Sequence, residues 1–147
     1  MKVIVPSISE DCPTALALTK EGVPFELVLM ENEYSYSDMF CELWKVGEGF
    51  ILLEHDIVPW PGAITALDDC EQPWCSYEYP LAPNTLRPAL GCIKVCKWVV
   101  KSNPDLPLHF RWAGTMWGNV DGRVCPALES IVGKTHIHTP PLAHVKK

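Results

Sequence analysis

Residues 47–62 read Gly-Glu-Gly-Phe-Ile-Leu-Leu-Glu-His-Asp-Ile-Val-Pro-Trp-Pro-Gly. Phe50 to Leu53 is apolar without alternation, the pattern of a central strand covered on both faces. It runs straight into Glu54-His55-Asp56. Carboxylates two residues apart on extended backbone point to one side. They fall at the carboxyl end of the strand, the edge where open α/β sheets bind ligands. Dry and unpaired, they would cost several kcal/mol, so a cation or a solvated cleft is implied. A divalent metal held by one or two carboxylates and by substrate phosphates fits both residues. The plainer alternative is a solvated strand end, because Glu-x-Asp is a common triplet. Trp60, in the proline-rich turn that follows, is the aromatic best placed for ligand contact.

Outward from this stretch, strands and helices alternate. Val3-Ile4-Val5 reads as a strand ended by Pro6, and residues 12–20 as a helix stopped by Gly22. Residues 24–30 follow as a second strand, and this β-α-β order predicts parallel pairing through a right-handed crossover. Residues 31–37 read as a loop. Asp38 to Val46 is a predicted helix with Met39, Leu43 and Val46 on one side and Gly47 as its stop. Ala63 to Leu67 is predicted to be a short helix, 74–79 a strand near an edge, and 80–88, with three prolines, a loop. Leu90 to Val95 is predicted as a strand and Lys97 to Lys101 as the start of a helix. Residues 107–118 carry few periodic cues. Asn119 is the expected cap of a helix to about Val132, in which Pro126 predicts a kink or an offset start. One α/β domain over residues 1–147 with a mainly parallel sheet is expected, ending in a histidine-containing tail from about residue 134.

Composition narrows the function classes. Twelve Lys and Arg against 18 Asp and Glu leave a net charge of −6, which argues against a long nucleic-acid groove. Nucleotide binding stays open, because a metal ion supplies the missing positive charge. No apolar run approaches the roughly 20 residues of a membrane helix. Pro6, Glu10 and Asp11 break the amino-terminal segment, so no secretory signal is expected and a cytoplasmic setting is. The seven cysteines form no Cys-x-x-Cys pair, the nearest spacings being Cys70 with Cys75 and Cys92 with Cys96. They read as reduced, mostly buried thiols, with zinc held by scattered Cys and His as the alternative.

His136 and His138 alternate, so both face one side of an extended segment. With His144 they offer ligands to complete a metal site beside Asp56, or else form a solvated tail. Imidazole with carboxylate suits Mn²⁺ or another transition ion better than Mg²⁺. Asp121 and Arg123 fall near the start of the last helix. There Asp121 reads either as a complement to the helix dipole or as a general base for an acceptor hydroxyl.

The blocks GEGFILLEHDIVPWPGAITAL, PWCSYEYPL, LGCIKV, WGNVDGRV and HIHTPPLAH together resemble a group of small glycosyltransferase-like proteins of bacteria and phages, related to GT-A glycosyltransferases. The resemblance spans roughly residues 45–144. It implies a reduced GT-A-like, three-layer α/β/α sandwich that binds a nucleoside-diphosphate sugar, a UDP-sugar as first expectation. Glu54 and Asp56 would occupy the Asp-x-Asp-type motif, with Glu in place of the first Asp. Asp56 would carry the metal, Mn²⁺ with Mg²⁺ as alternative, helped by His144 or one of His136 and His138. The exit of the first strand, Pro6-Ser7-Ile8, would hold the nucleoside base. GT-A enzymes are longer, so the acceptor, which is unknown, is expected to come through a partner or a homo-oligomer. The rival readings are a non-catalytic nucleotide-sugar binder, a zinc-containing interaction module and a nucleotidyltransferase.

Overall fold

A computed structural model describes residues 1–82 and 85–145. In chain order its elements are β1 (Lys2–Ser7), α1 (Pro13–Glu21), β2 (Glu26–Leu29), α2 (Ser35–Val46), β3 (Phe50–Leu53), β4 (Ile57–Val58) and α3 (Ala63–Asp69). There follow β5 (Trp74–Ala82), β6 (Thr85–Val95), α4 (Lys97–Ser102), α5 (Leu106–His109), α6 (Trp117–Val132), β7 (His136–His138) and β8 (Ala143–His144). The first helix shows how local chemistry sets the boundaries. Cys12 is extended, its sulfur accepts from the Ala15 amide, and Pro13 opens the helix without an amide to satisfy. Gly22, at φ 76°, closes it by donating to the Leu18 and Thr19 carbonyls.

Six strands form one sheet in the order β2-β1-β3-β6-β5-β7, and β4 pairs with β8 separately. β1 pairs parallel with β2 and β3, and β5 parallel with β7. β6 runs antiparallel to both β3 and β5, so the sheet is mixed rather than mainly parallel in its pairings. The cause is local. Only residues 83 and 84 separate β5 from β6, and so short a return forces antiparallel pairing.

The loop expected over 80–88 is corrected by the same hairpin, whose strands reach Ala82 and resume at Thr85. Pro80 stands opposite Leu86 and Pro88 opposite Glu78, beside register shifts where a missing amide is tolerated. Residues 83 and 84 of that expected loop lie outside the described residues. α2 begins at Ser35, three residues early, and α6 at Trp117, so Met116 rather than Asn119 holds the cap position. α6 continues through Pro126, which lies inside the helix and does not set its start.

Side chains alternate along each central strand between two cores. Ile4, Phe50 and Leu52 pack with α2, α4 and α6, through residues such as Phe40, Trp44, Val100, Val124 and Leu128. Val3, Val5, Ile51 and Leu53 pack with α1 and α3, through Ala15, Leu18, Ile64 and Leu67. β3 is buried along its whole length, as its unalternating sequence predicts. All seven cysteines are free thiols, but only Cys12, Cys75 and Cys92 are fully buried, the rest being half-buried. Among the described residues, no helix is long and apolar enough to cross a membrane.

Candidate functional site

The carboxyl ends of β1, β2 and β3 share one edge of the sheet, and there β3 delivers Glu54 and Asp56. The segment is fixed from several sides. The Glu54 amide donates to the Gly91 carbonyl at 2.9 Å and the Thr14 amide to the His55 carbonyl at 3.2 Å. The Thr14 hydroxyl lies 2.6 Å from the Glu54 carbonyl and 2.7 Å from that of Ile57, within reach of both. The start of α1 therefore clamps the turn after β3.

Glu54 and Asp56 diverge in environment. The Glu54 Oε1 accepts from the Tyr36 hydroxyl at 2.5 Å, and Trp117 gives a further side-chain hydrogen bond. Tyr36 stacks on Trp117 with ring centroids 4.7 Å apart, and His55 meets the Trp117 ring edge-on at 5.8 Å. Burial raises the Glu54 carboxyl from 4.5 to about 7 against the lowering effect of the Tyr36 bond, and the charges of Asp121 and Asp56 push it further up. Burial, reinforced by the Glu54 charge, holds the Tyr36 hydroxyl well above its usual range.

Asp56 faces His144. The His144 Nε2 lies 3.0 Å from Asp56 Oδ2, and its Nδ1 lies 2.6 Å from the Pro80 carbonyl oxygen. The carbonyl only accepts, so Nδ1 must donate, and a neutral ring then turns the lone pair of Nε2 toward a carboxylate. Two acceptors face each other unless the ring carries a second proton or a cation serves both. The other carboxylate oxygen, Asp56 Oδ1, is buried and has no hydrogen-bond partner. A backbone carbonyl fixing the second ring nitrogen is the usual support of a metal-binding histidine. The donor set thus fits a divalent cation. The Val145 amide donates to the Asp56 carbonyl at 2.8 Å, and β8 pairs His144 with Ile57, which brings the tail onto this edge.

Asp121, in the second turn of α6, accepts from the Leu90 amide at 2.7 Å and lines a cavity of about 550 Å³ with Leu81, Asn119 and Arg123. Pro6 and Ser7 are buried at the end of β1, and the Ser7 hydroxyl turns the chain by donating to the Ser9 carbonyl at 2.6 Å. Ile8 beyond it is 64% exposed. Trp60 sits edge-on to Tyr77 at 5.7 Å and donates its indole N–H to the Pro140 carbonyl at 3.3 Å, a packing role against the tail.

Of the three histidines, His144 meets Asp56. His136 and His138 lie on β7, at the far edge of the sheet, where the His138 ring packs against Tyr77. Sequence reasoning missed Tyr36, Thr14 and Tyr79. Tyr36 fell in a stretch read as a loop, yet it stands four residues before Phe40 on the same helix face. Tyr79, whose hydroxyl accepts from the Gly91 amide at 2.9 Å, is edge-on to the His144 ring at 5.7 Å. Burial and the charges of Glu54 and Asp121 raise its hydroxyl too.

No protein-family model matches the chain, and no curated protein matches it. Solved structures do. A glycosyltransferase involved in the glycosylation of the major capsid of PBCV-1 superposes with a TM-score of 0.50 at 11% identity, over 97% of this chain and 92% of that one. A197 from STIV superposes with a TM-score of 0.51 at 16% identity, over 68% of this chain and 66% of A197, just under two thirds of its length. At these identities the likeness is one of fold. The chain has a glycosyltransferase-like α/β fold, as its sequence led us to expect.

Proposed function

We propose that this chain is a metal-dependent glycosyltransferase that takes a nucleoside-diphosphate sugar, with the helices over the two cores as the outer layers of an α/β/α sandwich. The observation that carries the reading is the 3.0 Å approach of Asp56 Oδ2 to His144 Nε2 beside the buried, unpartnered Asp56 Oδ1, at the carboxyl end of β3 in a fold shared with a glycosyltransferase. Asp56 and His144 would hold the ion, Mn²⁺ before Mg²⁺ because imidazole is in the set. Such an ion supplies positive charge against the departing diphosphate.

The chain's own groups do the rest. Pro6, Ser7 and Ile8 border the place for the nucleoside base at the end of β1. Tyr36 and Trp117 fix the Glu54 carboxyl by hydrogen bonds, so that Glu54 shapes the electrostatics of the site from behind. If the reaction inverts, Asp121 takes the acceptor's proton; its Oδ1 is oriented by the Leu90 amide and its cavity has room for a sugar-sized group. The acceptor then enters over α6, on this chain or with help from a second subunit.

Thermal shift with UDP, GDP, CDP and ADP, each with Mn²⁺ and with chelator, tests the reading. One diphosphate, at about 100 times its dissociation constant, should stabilise by roughly 2.7 kcal/mol only with metal, and Asp56→Ala should abolish the shift. Transfer or hydrolysis of the matching sugar donor should disappear in the same variant. No shift with any diphosphate, or full retention in Asp56→Ala, overturns it.

A further inference from the structure

A second cluster lies at the opposite edge of the sheet, away from the acid edge. The sulfur atoms of Cys70 and Cys75 and one ring nitrogen of His138 all lie within 4.8 Å of one another. Three elements supply them: the end of α3, the start of β5 and the end of β7. Sheet register explains the convergence. Lys94, Cys75 and His136 stand in one row across β6, β5 and β7, and two rows on Tyr77 pairs with His138. Strand alternation then puts Cys75 and His138 on the same face. Cys70 reaches that face from the last turn of α3, where its amide donates to the Leu67 carbonyl at 3.2 Å and its carbonyl accepts from the buried Lys94 ammonium.

One atom there has no explanation in the packing. The Nε2 of His138 is buried and has no hydrogen-bond partner, although such an atom ordinarily finds one. We infer that Cys70, Cys75 and His138 form a zinc site, with His136 or solvent at the fourth position. Two sulfurs bound to tetrahedral zinc at about 2.3 Å stand roughly 3.8 Å apart, so modest side-chain rotation closes the present spacing. Sulfur and imidazole ligands favour zinc over the harder ion expected at Asp56. His136, exposed on β7, has its ring centroid 4.9 Å from that of His138. Binding releases the thiol protons to solvent and leaves two thiolates that balance the ion's charge. The ion would staple β7, a strand of three residues paired on one side only, to β5 and to α3. β7 is also the strand from which the chain continues to His144.

The site stands independently of the donor-binding proposal and is tested without nucleotide. Reduced, metal-stripped protein is titrated with Zn²⁺ and with Co²⁺, reading metal content and the near-ultraviolet band of cobalt–thiolate charge transfer. The expected result is a thiolate band that saturates at one equivalent and is lost in Cys70→Ser and in His138→Gln but kept in Cys41→Ser. Cys70 and His138 are half-buried, so these variants spare the core that Cys75 belongs to. Absence of binding to the reduced protein, binding unchanged in both variants, or a Cys70–Cys75 disulfide in metal-free isolated protein overturns the assignment.

Discussion

Replacing Glu54 with Gln should make the protein more stable at pH 8 than the parent, by an amount that vanishes in acid. The buried carboxyl is raised from 4.5 to about 7 in the folded chain, while the unfolded chain keeps the ordinary value. Between those values the folded state holds a proton that the unfolded state has lost. Its stability is therefore full below 4.5, falls as the pH rises toward 7, and levels off above. The displacement, at about 1.4 kcal/mol per pH unit, amounts to about 3 kcal/mol. Glutamine keeps an acceptor for the Tyr36 hydroxyl and never ionises, so it escapes this loss. Urea unfolding of both proteins at pH 4.5, 6 and 8 without added metal gives the comparison, and all other titrations cancel in the difference. The gap should grow by about 3 kcal/mol in favour of the variant from the lowest to the highest pH. A gap that stays constant, or shrinks, refutes the view that Glu54 is a desolvated carboxylate crowded by Asp56 and Asp121.

Two further substitutions test the scaffold. Thr14→Val removes the hydroxyl shared by the Glu54 and Ile57 carbonyls, and chemical unfolding should show a loss of about 1–3 kcal/mol. Gly91→Ala would drive a methyl group into the Tyr79 ring and hydroxyl, and the same assay should register about 1–3 kcal/mol of destabilisation from overpacking.

Much of this architecture was legible in local patterns. The unalternating run Phe50 to Leu53 announced a strand buried on both faces, and Gly22 and Gly47 marked helix ends because both need a left-handed backbone. The hairpin over 74–95 was not legible, since Pro80 and Pro88 signal a loop unless register shifts accommodate them, and those shifts appear only once β5 and β6 are paired. Glu54 and Asp56 were visible as a pair, but not their divergence, which depends on Tyr36 arriving from α2. Spacing also concealed the Cys70, Cys75 and His138 cluster. Its third member lies on another strand, and only sheet register brings it to the cysteines.

The turn after β3 has a further meaning for how the chain folds. Its ties join residues 18, 40 and 88 positions apart: Tyr36 to Glu54, Thr14 to Glu54 and Asp56 to His144. Each closes a longer loop than the last, and the entropy of closure rises with length. Helices and the β1–β2 unit can form from near neighbours, whereas the acidic turn waits for partners from both ends of the sequence. Asp56 meets His144 only once β8 has returned to β4, so the last tie of the turn closes over the longest stretch of chain of the three.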